Sequence, residues 1–165
     1  MKRTSIFLLI SVLLTAALSA GEGITESQEN DLLYMLEEEK LARDVYTVLG
    51  ENWNIRVFSN IASSEEQHRS QVQNLADTYG LDYTILPPGE FVDSDLQSLY
   101  DQLTAQGLSS LTQAFEVGKA IEVLDIQDLD AMIDQDFPDD IEVVLKALRR
   151  GSENHLAAFE RQLNR

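Results

Sequence analysis

The chain has no cysteine and only two histidines in 165 residues. Without thiolates there is no disulfide framework, no iron–sulfur cluster, no sulfur-bound zinc and no cysteine nucleophile. Any resident metal must be held by carboxylates together with His68 and His155. Positive charge is also scarce: 12 Lys and Arg stand against 29 Asp and Glu, for a net charge of −17. Such a chain repels phosphate, so nucleic acid is excluded as a partner. The surplus of acid favours solubility and draws cations, but it does not by itself define a site. Proline is rare, and Pro87-Pro88 stand together, so long stretches run free of helix breakers. No run alternates apolar and polar residues between turn signals, so no sheet is expected.

One apolar run stands out, from Ile6 to Leu18, after Met1-Lys2-Arg3 and before Ser19-Ala20-Gly21. A charged start, an apolar middle and small residues at the end read as a secretory signal peptide over residues 1–20. The run is shorter than the roughly 20 residues that cross a bilayer, so a retained membrane anchor is the weaker reading. No stable membrane span is expected after cleavage, and the mature protein is expected to be exported. Residues 21–28 form a polar, flexible segment, and residues 29–165 one helical domain.

Within that domain, apolar residues recur three and four apart in long segments. The first runs from about Glu29 to Leu49 and is expected to stop at Gly50; the second runs from about Asn54 to Tyr79 and stops at Gly80. Leu86-Pro87-Pro88-Gly89 marks a loop, and Leu96, Leu99, Tyr100 and Leu103 mark a short helix after it. The third segment covers about Ser110 to Met132, and the fourth follows Phe137-Pro138-Asp139-Asp140 as far as Leu163. Two helices on a short turn, a long connection with a short helix, then two more helices predict an all-α, ferritin-like four-helix bundle with one crossover.

Charged groups interrupt the stripes that should line its core. On the second segment Phe58, Ile61, Glu65, His68, Val72, Leu75 and Tyr79 share one face. Glu65 and His68, three residues apart, point the same way from adjacent turns. On the fourth, His155 interrupts Ile141, Leu145, Leu148, Ser152 and Phe159. On the first, Glu39 sits among Leu32, Met35, Ala42, Tyr46 and Leu49, and Glu38 fits almost as well. On the third, Glu122 lies with Phe115, Gly118, Ile126 and Leu129, while Glu116 falls off that line. A buried carboxylate is costly unless paired or bound to a metal. Carboxylates can bridge two divalent ions, and an imidazole can complete each.

Glu39-Lys40-Leu41-Ala42-Arg43-Asp44-Val45-Tyr46 and Glu65-Glu66-Gln67-His68 resemble the first two helices of rubrerythrin-type ferritin-like proteins. With Ile121 to Leu129 and Gly151 to Leu156, residues 29–164 resemble a ferritin-like family catalogued only as a domain of unknown function. The resemblance favours Glu39 over Glu38. It implies a metal pair, iron foremost with manganese or zinc as alternatives, at Glu39, Glu65, His68, Glu122 and His155. Glu39 and Glu122 would bridge, Glu65 and His68 would serve one ion, and His155 the other. One position departs from the pattern: Ser152 stands where a fourth-helix Glu belongs. Glu153 points about 100° away, among Lys146, Arg149 and Arg150, so either Asp125 or water fills the place or one metal position stays weak or empty. Tyr46 reads as a hydrogen-bond donor to the site or as a core aromatic, and Arg43 as the partner of a carboxylate or as a surface residue.

Three functions follow as expectations. The first is redox chemistry on oxygen or peroxide at a di-iron centre, which would make the protein an oxidoreductase. The second is metal storage or buffering. The third is a metal-free helical interaction module. Metal ions are the expected partners, and a homo-oligomer is compatible with all three.

Overall fold

Helix starts are set by side chains that accept backbone amides left unpaired in the first turn. Thr25 and Gln28 form a reciprocal capping box, so α1 begins at Glu26 and spans Glu26–Trp53. It therefore takes in the end of the polar stretch expected to be flexible. It also runs through Gly50 and stops at Asn54, which carries the left-handed conformation at φ 53°. The extra turn packs the half-buried Trp53 against the core and lets its indole N–H donate to the Gly107 carbonyl at 3.0 Å. After Asn54 and Ile55, α2 spans Arg56–Tyr79 and ends, as expected, at Gly80 with φ 68°. Asp93 caps α3 (Ser94–Gly107), Ser110 caps α4 (Leu111–Ile133), and Pro138 with three acids in the first turn opens α5 (Asp139–Leu163).

These helices come from a computed structural model that describes residues 23–165; the expected signal segment lies outside the described residues. Among the described residues there is no strand, and the domain is an all-α bundle. No helix among them is long and apolar enough to cross a membrane.

Packing splits the core in two. One apolar cluster joins Tyr46, Leu49, Phe58, Ile61, Phe115, Ile121 and Phe159. The other joins Leu32, Met35, Val72, Leu75, Leu129, Met132, Ile141, Leu145 and Leu148. The first uses the C-terminal half of α1 with the N-terminal half of α2, and the second uses the opposite halves. The two helices are therefore antiparallel, as are α4 and α5, while α1 and α5 run the same way. Within the first cluster the Phe58 and Phe115 rings stack at 5.4 Å, and Phe159 packs on Tyr46 at 5.3 Å. Each buried large side chain contributes roughly 1.5–3 kcal/mol. Between the two clusters every long helix turns polar at once.

The crossover is anchored to α1. Lys40, 2% exposed, donates to Asp44 at 2.8 Å and to the Glu90 carbonyl at 2.9 Å, and lies 4.0 Å over the Phe91 ring. Asp44 also accepts the Gly89 amide at 2.9 Å, and Glu37 accepts the amides of Val92 and Asp93 at 2.8 Å each. Beside this clamp, residues including Tyr83 and Ile85 wall a groove of about 930 Å³ against α1.

Candidate metal centre

The polar layer is built from one or two residues per long helix. Glu65 lies in the middle. Its Oε2 is 2.8 Å from His68 Nδ1 on the same helix, and its Oε1 is 2.8 Å from His155 Nδ1 on α5. Glu39 of α1 approaches His68 Nδ1 at 3.4 Å, and Glu122 of α4 approaches His155 Nδ1 at 3.6 Å. The two imidazoles stack with centroids 5.4 Å apart. The residues expected from periodicity and, for Glu39, from the family resemblance, namely Glu39, Glu65, His68, Glu122 and His155, thus meet at one place. Ligand atoms of Glu65, His68 and His155 lie within 4.8 Å of one another.

Close as they are, these contacts are not aligned hydrogen bonds. Glu39 Oε1, Glu65 Oε1, His68 Nδ1 and His155 Nδ1 are buried without a hydrogen-bond partner. One such atom costs about 1–3 kcal/mol, so several together make the layer costly as it stands. Neighbours hold the donors in place. Tyr46 donates to Glu122 Oε1 at 2.6 Å, which places it in the site rather than only in the core. His155 Nε2 lies 3.1 Å from Ser64 Oγ, leaving Nδ1 to face Glu65. Gly151 lets α5 pass directly over His68: a Cβ there would stand 2.5 Å from the ring's Cε1 and Nε2.

The electrostatics are those of too many acids in one dry place. Burial, then Asp125 and Glu65, push Glu39 well above the usual carboxylate range. Burial likewise carries Glu122 to about 8, despite the pull of His155. Glu65 goes the other way: burial raises it, but His155 and His68 outweigh burial and hold it at about 2. Burial lowers His155 less than Glu122 and Glu65 raise it, to about 9, and His68 is raised by Glu65 in the same way. Protons on these groups relieve the repulsion among the buried carboxylates.

The inner line of α4 differs from expectation. Asp125, not Ile126, is buried, because Phe115, Gly118, Glu122, Asp125 and Leu129 keep the alternating three–four spacing of a facing helix. Ser152 Oγ donates to Asp125 Oδ2, and Asp125 Oδ1 has no partner. The carboxylate lacking on α5 is thus matched by one reaching across from α4. Burial, opposed by the Ser152 hydrogen bond, lifts Asp125 to about 7. Glu38 is buried beside Glu39 rather than replaced by it. Glu116 is exposed, and Glu153 pairs with Arg149 at 2.7 Å, away from the layer. Arg43 pairs with Asp44 and Glu66, at 2.6 Å each, and not with the centre. The Lys40–Asp44 pair was not foreseen: a lysine in a helix ordinarily reads as solvated, and its partners arrive from a distant loop.

Comparison with known proteins extends the description. Residues 28–165 match the family described as an uncharacterized protein domain, DUF2202. An uncharacterized protein of Methanocaldococcus jannaschii, MJ0754, is 40% identical over 143 residues, covering 86% of this chain and 77% of that protein. The crystal structure of hypothetical protein MJ0754 is similar with a TM-score of 0.84 at 39% identity, over 87% of this chain and 83% of that one.

Proposed function

This chain belongs to the DUF2202 family, and we propose that it is a ferritin-like four-helix protein that binds a pair of divalent metal ions, iron foremost, between the two halves of its core. In this reading α3 is part of the crossover, and the signal segment places the protein outside the cytoplasm. One observation carries it: each oxygen of buried Glu65 lies 2.8 Å from Nδ1 of a different histidine, and neither imidazole Nδ1 finds a hydrogen-bond partner.

The donor set fits such a pair, with hard carboxylate oxygens and one imidazole for each ion. Glu65, lying between the imidazoles, would take the bridging role that the family resemblance gave to Glu39 and Glu122. Glu39 and His68 would hold one ion, Glu122 and His155 the other, and Asp125 would stand in for the carboxylate that Ser152 lacks. When bound, two iron ions supply electron transfer to or from oxygen or peroxide. The chain's own residues orient and shield. Tyr46 steers Glu122, Ser64 fixes the His155 ring, Ser152 aims Asp125, and the aromatic cluster of Phe58, Phe115 and Phe159 closes one side to water.

The test is elemental analysis of mature protein purified without added metal. About two metals per chain are expected in the parent, with Glu65→Ala and His155→Ala both losing them. A parent without stoichiometric metal sinks the reading in favour of a metal-free helical module. Many ions per chain would favour storage.

A further inference from the structure

Glu38 is absorbed by neither the centre nor the clamp on the crossover. It is 4% exposed, and both of its carboxylate oxygens lack a hydrogen-bond partner. The ionisable groups that act on it most are the carboxyls of Asp125 and Asp128 on α4. Asp125 Oδ1 is likewise buried and unpartnered.

These residues lie on a line. On α4, Glu122, Asp125 and Asp128 follow at three-residue steps, one turn each, from the centre outward. On α1, Glu38 adjoins Glu39, with Tyr34 and Asp31 one and two turns toward the N-terminus. The outer members, Asp31, Tyr34 and Asp128, line a cleft of about 290 Å³ that opens to solvent between α1 and α4. The acids of α4, faced by Asp31, Tyr34 and Glu38 of α1, thus run from the cleft to the polar layer, and Glu38 and Asp125 carry the unpartnered oxygens between the two.

We propose that Glu38 is a transfer ligand for divalent cations, holding an ion at the inner end of the α1–α4 cleft on its way between solvent and the Glu39–Glu65 centre. This rests on the metal-binding reading above. A cation leaving water needs carboxylate oxygens at each stage of its desolvation. Asp128 receives it at the cleft, Glu38 and Asp125 take it inward, and the imidazoles complete its binding. Glu38 contributes to the rate of loading and not to the final site.

The test uses full-length mature protein stripped of metal, with Co2+ as the probe and its visible absorption as the readout in stopped flow. Glu38→Gln and Asp128→Asn are expected to slow loading on the order of tenfold, with final Co2+ content and the Co2+-induced rise in Tm as in the parent. Exposed Glu116→Gln is the control and loads at the parent's rate. Loading of Glu38→Gln at the parent's rate overturns the proposal. So does a lowered final Co2+ content in that variant, because Glu38 would then be a ligand of the centre. A parent that takes up no Co2+ brings down the metal-binding reading itself, and this one with it.

Discussion

Two buried polar groups of residues lie within a single stretch of α1, and they are solved in opposite ways. Lys40 and Asp44 face the crossover and are saturated: the ammonium has a carboxylate and a carbonyl, and the carboxylate has Lys40, Arg43 and a backbone amide. Glu38 and Glu39 face the bundle, share their surroundings with Glu65, Glu122 and Asp125, and include oxygens with no partner. The same helix turn that supplies a buried lysine to one face supplies none to the other. A fold that pairs Asp44 within four residues has given the neighbouring set of acids only the two imidazoles as partners and left several of its buried oxygens unpaired.

The contrast can be broken at either end. The largest effect is expected at the saturated pair. Lys40→Met leaves the Asp44 carboxylate with only Arg43 and the Gly89 amide and takes the donor from the Glu90 carbonyl, and should cost about 3 kcal/mol in urea unfolding, whereas Lys40→Met with Asp44→Leu should recover part of that. Metal content per folded chain should be unchanged in both. Next is the effect of metal itself. At a hundredfold excess over Kd, a bound ion should add about 2.7 kcal/mol of stability, read as a rise in Tm that Glu65→Ala abolishes.

The pH dependence should reverse between the two forms. In the stripped protein Glu122 and Asp125 titrate at about 8 and about 7, against about 4 when unfolded. Their contribution is complete below pH ~4 and is lost as pH rises through those values. His155 titrates at about 9, against ~6.5 unfolded, and its contribution is lost as pH rises through 9. Glu65, held at about 2, acts in the opposite sense but only below about pH 4.3, its unfolded value. Stripped protein should therefore melt lower at pH 9 than at pH 5. Metal-loaded protein should melt lower at pH 5, where protons compete for the ligands. Equal slopes in the two forms would contradict a shared site. A smaller change sharpens the comparison: Glu39→Gln should stabilise stripped protein by about 1 kcal/mol while lowering metal affinity, which calorimetry and metal titration separate. Smallest of all, Tyr46→Phe should cost about 1 kcal/mol in stability and weaken metal binding by the factor of ten or more that an outer hydrogen bond is worth.

The half of the design carried by helical periodicity was legible in the chain. Glu65 and His68 one turn apart, His155 among leucines and Glu122 beside Gly118 can be found by counting, because burial and spacing are local. The layered core follows from the same counting, since each stripe turns polar at its middle. Asp125 was harder. Three and four residues from Glu122 both continue a stripe, and apolar Ile126 looks the better core residue until a partner such as Ser152 is known. The Lys40 clamp was not legible, because what makes it buried is the main chain of residues 89 and 90 returning from a distant part of the sequence. The end of α1 depended on Trp53 finding Gly107, again a contact across distant segments.

The clamp on the crossover seizes main-chain atoms almost exclusively: amides of Gly89, Val92 and Asp93 and the carbonyl of Glu90. The side chains of Glu90 and Val92 point outward and take no part. The rim of the neighbouring groove is thereby built like a rail with exchangeable fittings. Substitution at Val92, which lines the groove, can change what the groove accepts while the path of the connection, and the helices it spaces, stay where they are.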